Sequence, residues 1–329
     1  MFLNGLWRQV TIDDRLPATG KNSVLCAFSK QNKLWVSLLE KAYLKVRGGY
    51  DFQGSQSAID LYAFTSWMPE KVHLKDADRD KLWRKILNGT NTNDCMITIS
   101  TSDIEDEEKV GLVGNHAYAV LEVIQEGGLH ILLVKNPWAN FRWNGKFSTD
   151  DKVNWTEPLK KKLRFYDLAA KDNGIFWIDF DSVIDNFYTM DINWNPTLLV
   201  YRQSVWDMWD CAGLSSTTSN LILNPQYGIE FTINPSDQAQ DIICWAILTR
   251  ISAPEESRWS EDKFIGMSAY ETNNFEKIAY GTRPINELVL TNNEHFLFKA
   301  VLSKEMLVYN KFMIIVVKQH QITDKFLFK

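Results

Sequence analysis

Between residues 34 and 46 the side chains Leu34, Trp35, Leu38, Leu39, Ala42, Tyr43 and Val46 fall on one stripe, and Gly48-Gly49 follows. That spacing predicts an amphipathic helix with a stop signal behind it. A polar stretch, Tyr50 to Ser57, reads as a loop, and a second helix is predicted over Arg79 to Leu87, ending at Asn88-Gly89. Met96 to Ser100 reads as a strand. The most legible region is 115–136, where two apolar strand-like runs flank Gln125-Glu126-Gly127-Gly128, a hairpin signal. A turn centred on Glu126 sets Val120 opposite Leu132, Tyr118 opposite Val134 and His116 opposite Asn136. His116 and Asn136 then share one face of the sheet.

Farther on, Ile175 to Ile178 reads as a strand leading into a short helix near Asp181 to Tyr188, and Asn193-Trp194-Asn195-Pro196 as a boundary. Beyond it the pattern changes. Strand-like runs recur at Leu198–Tyr201, Ile229–Ile233, Ile242–Leu248, Phe264–Tyr270, His295–Val301 and Phe312–Lys318, separated by Asn, Asp, Pro, Ser and Gly. Such a series without helices predicts an antiparallel β-sandwich. The expected fold class is therefore α+β, in two domains, 1–195 and 196–329.

Composition narrows the classes of function. With 45% hydrophobic and 23% charged residues, 13 Trp and 18 Phe, the 329-residue chain has the makings of filled cores rather than disorder. Its net charge of -5 comes from interspersed acids and bases, so neither a nucleic-acid surface nor a polybasic membrane anchor is expected. The apolar run Phe312 to Val317 is too short to span a bilayer, and no signal core opens the chain, which points to a soluble cytoplasmic protein. Cys26, Cys95, Cys211 and Cys244 are scattered, without C-x-x-C pairs or His at ligand spacing. Neither a disulfide framework nor a metal site is expected.

A single strand histidine is more often structural than catalytic, and Asn136-Pro137 taken alone is a turn. Their conjunction carries more. Gly114-Asn115-His116-Ala117-Tyr118 and Lys135-Asn136-Pro137-Trp138, with the upstream Trp7-Arg8-Gln9-Val10-Thr11-Ile12-Asp13-Asp14-Arg15-Leu16-Pro17, resemble the calpain family of cysteine proteases. The likeness extends through Leu34 to Tyr43, then Trp206, Cys211-Ala212-Gly213 and Asn224-Pro225-Gln226-Tyr227. Gly49-Tyr50-Asp51-Phe52 and Ile59-Asp60-Leu61 are most similar to the PalB-like branch, which has no EF-hands, and no D-x-D-x-D-G loop is present.

The resemblance implies a partial papain-like protease core followed by a calpain-type β-sandwich, and limited endoproteolysis of protein substrates. In that chemistry His116 is the base and then the acid, Asn136 orients its ring, and Trp138 shields their hydrogen bond, with Pro137 fixing the bend. The family's nucleophilic Cys precedes the segment with which this chain opens. No cysteine here stands in a Gln-x-x-x-Gly-x-Cys-Trp context, and Cys26 reads as a buried hydrophobe in an apolar strand. The oxyanion donors go with the same segment. The chain alone is therefore expected to be inactive, with a Cys-bearing subdomain or an interaction partner as its complement. The alternative is a non-catalytic pseudo-protease that binds partners through the sandwich. Positions matching the calcium ligands of conventional calpains are Lys33, Arg142, Thr149, Asn173 and Ile175, so the core calcium sites are expected to be lost, although Asp150, Asp151 and Asp172 lie nearby.

Overall fold

The computed structural model describes residues 1–20, 23–29, 31, 33–51, 54–139, 141–169, 173–209, 221–230, 242–251, 264–272, 274–280, 284–286, 289–291, 293–302, 312–320 and 326–328. Cys211, Ala212, Gly213, Phe52 and Asp172, singled out above, lie outside them, as do the predicted strand residues 231–233. The chain forms two compact units, one of Ser55–Tyr201 and one of Met1–Gly54 with Arg202–Lys329. Among the described residues no helix is long and apolar enough to cross a membrane.

The N-terminal stretch opens with a small hairpin, β1 (Phe2–Leu3) and β2 (Leu6–Trp7), and contains α1 (Trp35–Val46). Ala42 and Tyr43 of the predicted stripe are buried, whereas Leu34 and Trp35 are exposed. Basic residues on α1 hold the irregular segment before it: Lys45 Nζ donates to the carbonyl of Thr11 at 2.7 Å, and Lys41 pairs with Asp13. Cys26 is not in a strand. It sits in a bend and is half-buried, because the segment around it bonds sideways to α1, with the Ala27 amide on Glu40 and the Ser37 hydroxyl on the Ala27 carbonyl.

Unit Ser55–Tyr201 is built on one antiparallel sheet. Its elements in chain order are α2 (Ser57–Thr65), β3 (Met68–His73), α3 (Arg79–Asn91), β4 (Cys95–Ser100), α4 (Glu107–Val110), β5 (Ala117–Glu126), β6 (Leu129–Lys135), α5 (Glu157–Lys162), α6 (Phe165–Ala169), β7 (Ile175–Asp179), α7 (Phe180–Asn186) and β8 (Thr189–Trp194). Across the sheet the strands run β3-β8-β4-β5-β6-β7. Strand β8, read from sequence as little more than a boundary, lies inside the sheet with all six residues buried. Its polar side chains hid it, and two of them find partners far away in the chain: Asn193 Nδ2 reaches the carbonyls of Ala58 and Trp67 at 2.9 and 3.0 Å, and Asp191 pairs with Lys71 at 3.1 Å.

Helix α3 starts where Asp78 caps the Lys81 amide at 3.0 Å. It runs past Asn88-Gly89 instead of stopping there. Gly89 is a packing glycine: a Cβ would come within 2.7 Å of Cys95 Sγ and 3.0 Å of the Trp194 ring. The sheet's far face carries a second cluster, with Ile131, Leu133, Phe147, Trp155, Leu163 and Trp177 as its buried core.

The β5–β6 hairpin forms, in a register other than the predicted one. Its turn is Gly127-Gly128, both with positive φ of 53° and 84°, a two-residue loop that glycine adopts without penalty. Glu126 therefore faces Leu129, and Glu122 faces Leu133. A register shift follows between Val120 and Glu122, beyond which Val120 faces Val134 and Ala119 faces Lys135. Leu121 is the extra residue of a bulge and is exposed.

Within the other unit, β9 (Asp207–Trp209), β10 (Gln226–Ile229), β11 (Ile242–Ile251), β12 (Phe264–Thr272), β13 (His295–Leu302), β14 (Phe312–His320) and β15 (Phe326–Phe328) make two antiparallel sheets, ordered β10-β14-β12 and β13-β11-β15-β9. Side chains from both sheets share one core cluster, among them Leu248, Phe298 and Phe328 from one and Ile265, Met267 and Ile315 from the other. The predicted strand Leu198–Tyr201 is absent. Pro196 to Leu198 form a 3₁₀ turn capped by Asn195, and Val200 and Tyr201 are exposed.

Candidate active site

His116 immediately precedes β5 and Asn136 immediately follows β6. The bulge at Leu121 decides whether they meet. Had the pairing of Glu122 with Leu133 continued without interruption, Asn136 would have stood opposite Ala119, on the face away from His116. The extra residue restores the phase, because side chains alternate with period two along a strand. His116 Nε2 lies 2.9 Å from Asn136 Oδ1.

Asn136 is completely buried, and its surroundings leave one orientation for its amide. Oδ1 also accepts the Trp138 backbone N–H at 3.1 Å, while Nδ2 points to the Phe141 carbonyl at 3.4 Å. An oxygen already accepting one N–H calls for another donor on its remaining side, so Nε2 carries the proton and Nδ1 is left as the basic nitrogen. The Asn136 backbone is fixed as well, its N–H donating to the Gly174 carbonyl at 2.9 Å and its carbonyl accepting from Ala139 at 3.1 Å. Gly174 has φ +72°, and a Cβ there would come within 2.5 Å of the Asn136 carbonyl oxygen. Ala139 and Phe141 adopt φ of 62° and 52°, a tight and strained return of the chain.

The backbone of His116 is clamped by Thr101. The Thr101 N–H donates to the His116 carbonyl at 3.0 Å, and its Oγ1 accepts the His116 N–H at 3.1 Å while donating to the Val113 carbonyl at 2.7 Å. Tyr118 stands edge-on to the imidazole, with ring centroids 5.0 Å apart, and its hydroxyl accepts the Val113 N–H at 2.7 Å. Burial, assisted by the charge of Glu107 and opposed by the Val113 donor, pushes the Tyr118 pKa up to about 12, so it stays neutral. The Trp138 ring lies 4.3 Å from the imidazole and is 61% exposed, covering the histidine from the solvent side. The His116 pKa is lowered: burial outweighs the opposing influence of Asn136 and of Glu107. A neutral ring, one nitrogen held and the other basic, can accept a proton from a thiol or a water and return it to a leaving group.

No described cysteine is placed to work with that nitrogen in its own unit. Cys95 is buried on β4, its pKa pushed up to about 12 by burial and by the charges of Asp94 and Glu70. At roughly 3.3 Å per strand residue it lies about 20 Å from Thr101, the residue of that chain run that touches His116. Sequence reasoning picked out His116, Asn136 and Trp138, which the structure brings together. It missed Thr101, Gly174 and the bulge. Asn173-Gly174 carried a readable turn signal, whereas nothing in the sequence marks Thr101 or Leu121.

Of the proposed calcium-ligand positions, Asn173 Oδ1 accepts the Ile175 N–H at 3.1 Å. Asp151 accepts the N–H groups of Phe147, Val153 and Asn154 and the Asn154 side-chain amide. Those donors outweigh the effect of burial and hold its carboxyl below the usual range. Among the described residues no group of three or more His, Cys, Asp or Glu is assembled to hold a metal ion.

Residues 1–193 match the model of the family described as calpain family cysteine protease. Calpain-7 of Mus musculus is 37% identical over 315 residues, which cover 92% of this chain and 38% of that protein. The calpain-like protease palB/RIM13 of Aspergillus oryzae is 35% identical over 238 residues, 69% of this chain and 27% of its own length. For palB of Emericella nidulans the figures are 32% over 273 residues, 79% and 30%. The chain thus spans less than half the length of these curated relatives. With a family model matching more than half of the chain and relatives of this identity across most of it, the chain belongs to the calpain family of cysteine proteases, in its PalB-like branch.

Proposed function

We propose that this chain supplies the histidine and asparagine of a calpain-type cysteine endopeptidase that makes limited cuts in protein substrates. The observation that carries this reading is the 2.9 Å contact between His116 Nε2 and Asn136 Oδ1, held in one orientation by the Trp138 amide. Nδ1 takes the proton of a cysteine thiol as the sulfur attacks the peptide carbonyl. The resulting imidazolium hands that proton to the departing amine, and the thioester is then hydrolysed by a water that Nδ1 deprotonates. Asn136 keeps the ring in register through all three transfers, and Trp138 keeps water away from the hydrogen bond that does so.

In this reading the thiol and its oxyanion donors come from polypeptide other than the described residues. The two sheets of the second unit form a β-sandwich whose inner faces make the shared core. Core calcium plays no part, since Lys33 and Arg142 bring positive charge and Ile175 no side-chain oxygen. The test is hydrolysis of casein. Purified residues 1–329 should be inactive alone and active once a Cys-bearing segment of a PalB-like relative is supplied in trans or by fusion, with His116→Ala and thiol alkylation each abolishing the gain. A folded mixture that stays inactive would instead favour a non-catalytic interaction module.

A further inference from the structure

We propose that Glu107 is a positioning residue for His116, tying down the backbone that leads into the histidine and supplying a fixed negative charge that favours the protonated imidazole. This rests on the reading of His116 as the proton carrier.

Glu107 is the first residue of α4, whose N-cap Asp106 accepts the Lys109 N–H at 3.0 Å. Glu107 itself turns elsewhere: its Oε1 accepts the Gly114 N–H at 2.6 Å. Gly114 is packed against the same loop, and a Cβ there would come within 3.1 Å of the Ile104 amide nitrogen and 3.3 Å of Glu107 Oε1. The carboxylate thus closes the loop between β4 and β5 at the point where the chain turns towards His116. Asn115, between the two, has φ +48°, with its N–H on the Ser102 carbonyl at 3.0 Å and its side-chain amide on Asp103 at 2.5 Å. Together with the Thr101 clamp, this fixes the main chain from Val113 to His116 at every residue.

The charge has a second consequence. Groups facing the imidazole are Asn136 from the end of β6, Trp138 from the turn beyond it and Tyr118 from β5, while Glu107 on α4 is held two residues before the histidine by the Gly114 N–H. Glu107 acts on His116 through charge, in the direction that opposes burial. An imidazole that must become a cation during thiol activation, in a site that burial makes unfavourable for cations, gains from a carboxylate that cannot drift. The backbone hydrogen bond from Gly114 is what prevents the drift.

Glu107→Gln separates the two contributions, because the amide oxygen can still accept from Gly114 while the charge is gone. In the full 329-residue chain, the His116 ring is titrated by NMR in the wild type, Glu107→Gln and Glu107→Ala. The expected result is a lower His116 titration midpoint in Glu107→Gln with an unchanged melting temperature, and in Glu107→Ala the same displacement plus altered amide shifts at Gly114 and Asn115. In a reconstituted peptidase, the acidic limb of kcat/KM, set by the neutral His116 that accepts the thiol proton, would move to lower pH in Glu107→Gln. A midpoint that stays at the wild-type value in a folded Glu107→Gln overturns the proposal. So does a Glu107→Gln variant whose melting temperature falls and whose shifts change throughout the unit, which would make the residue merely structural. The titration does not depend on hydrolysis, so failure of the reconstitution experiment would leave its outcome readable.

Discussion

Asn136 takes two donors on one oxygen while fully enclosed, and that arrangement, more than the presence of a histidine, makes the pair chemically useful. Replacing it by Ala would deprive the partly buried Trp138 N–H of its acceptor, at a cost of about 0.5–1.5 kcal/mol. It would also remove a hydrogen bond that raises the His116 pKa. Asn136→Ala is therefore expected to melt at lower temperature and to titrate His116 at lower pH than wild type, as NMR would read. Gly174 matters to the same group from behind. With φ +72° and its missing Cβ site 2.5 Å from the Asn136 carbonyl, Gly174→Ala must shift that carbonyl and accept a left-handed backbone, together costing on the order of 1–3 kcal/mol. A thermal melt no lower than that of the wild type would contradict this.

At the level of the element, the hairpin shows how one unpaired residue controls which side chains share a face. Leu121 shifts the phase of β5 between a Gly-Gly turn that sets one register and a site that needs the other. Deleting it has an unusual expected outcome. Val120 would then directly precede Glu122, and their partners Val134 and Leu133 are already consecutive, so a regular ladder forms with every existing pair kept. The Leu121 deletion is predicted to fold and to retain the His116–Asn136 contact, checked by an unchanged His116 titration midpoint. Adding a single residue next to Leu121 leaves the ladder with a wider irregularity to absorb. Lost folding on deletion would show that the bulge's local twist, rather than the pairing, is what the site requires.

At the scale of the molecule, each unit holds a histidine whose neutral form the fold favours. Burial lowers the pKa of His116, and lowers that of His295 to about 4 against the pull of Glu294. An unfolded chain protonates both near a pKa of roughly 6.5. Their contribution to stability is thus fully present above that value, declines as pH falls, and is gone once pH has passed below the folded values. Melting temperature should drop between about pH 6.5 and 4, and His295→Gln, which still offers Thr249 a partner at the position now 3.0 Å from Nδ1, should flatten part of the decline. Calcium is expected to do nothing comparable. A ligand that binds only the native state raises its melting temperature, so an upward shift in millimolar calcium would contradict a calcium-free core.

The sequence by itself determined the elements whose signal is local. The stripe from Leu34 to Val46, the apolar runs of β5, β6 and β11 to β14, and the pairing of two short motifs around His116 and Asn136 are all written in consecutive residues. What stayed hidden was whatever depends on distant partners. Strand β8 looked polar because the partners that let Asp191 and Asn193 be buried, the Lys71 ammonium and the carbonyls of Ala58 and Trp67, lie far away in the chain. Gly89 looked like a helix end because its role is to admit Cys95 and Trp194. The face shared by His116 and Asn136 could be anticipated, but only through a register that the Gly127-Gly128 turn then displaced and Leu121 restored. Tertiary structure decided those points because period-two alternation leaves a choice of two faces, and only the packing of the whole sheet selects one.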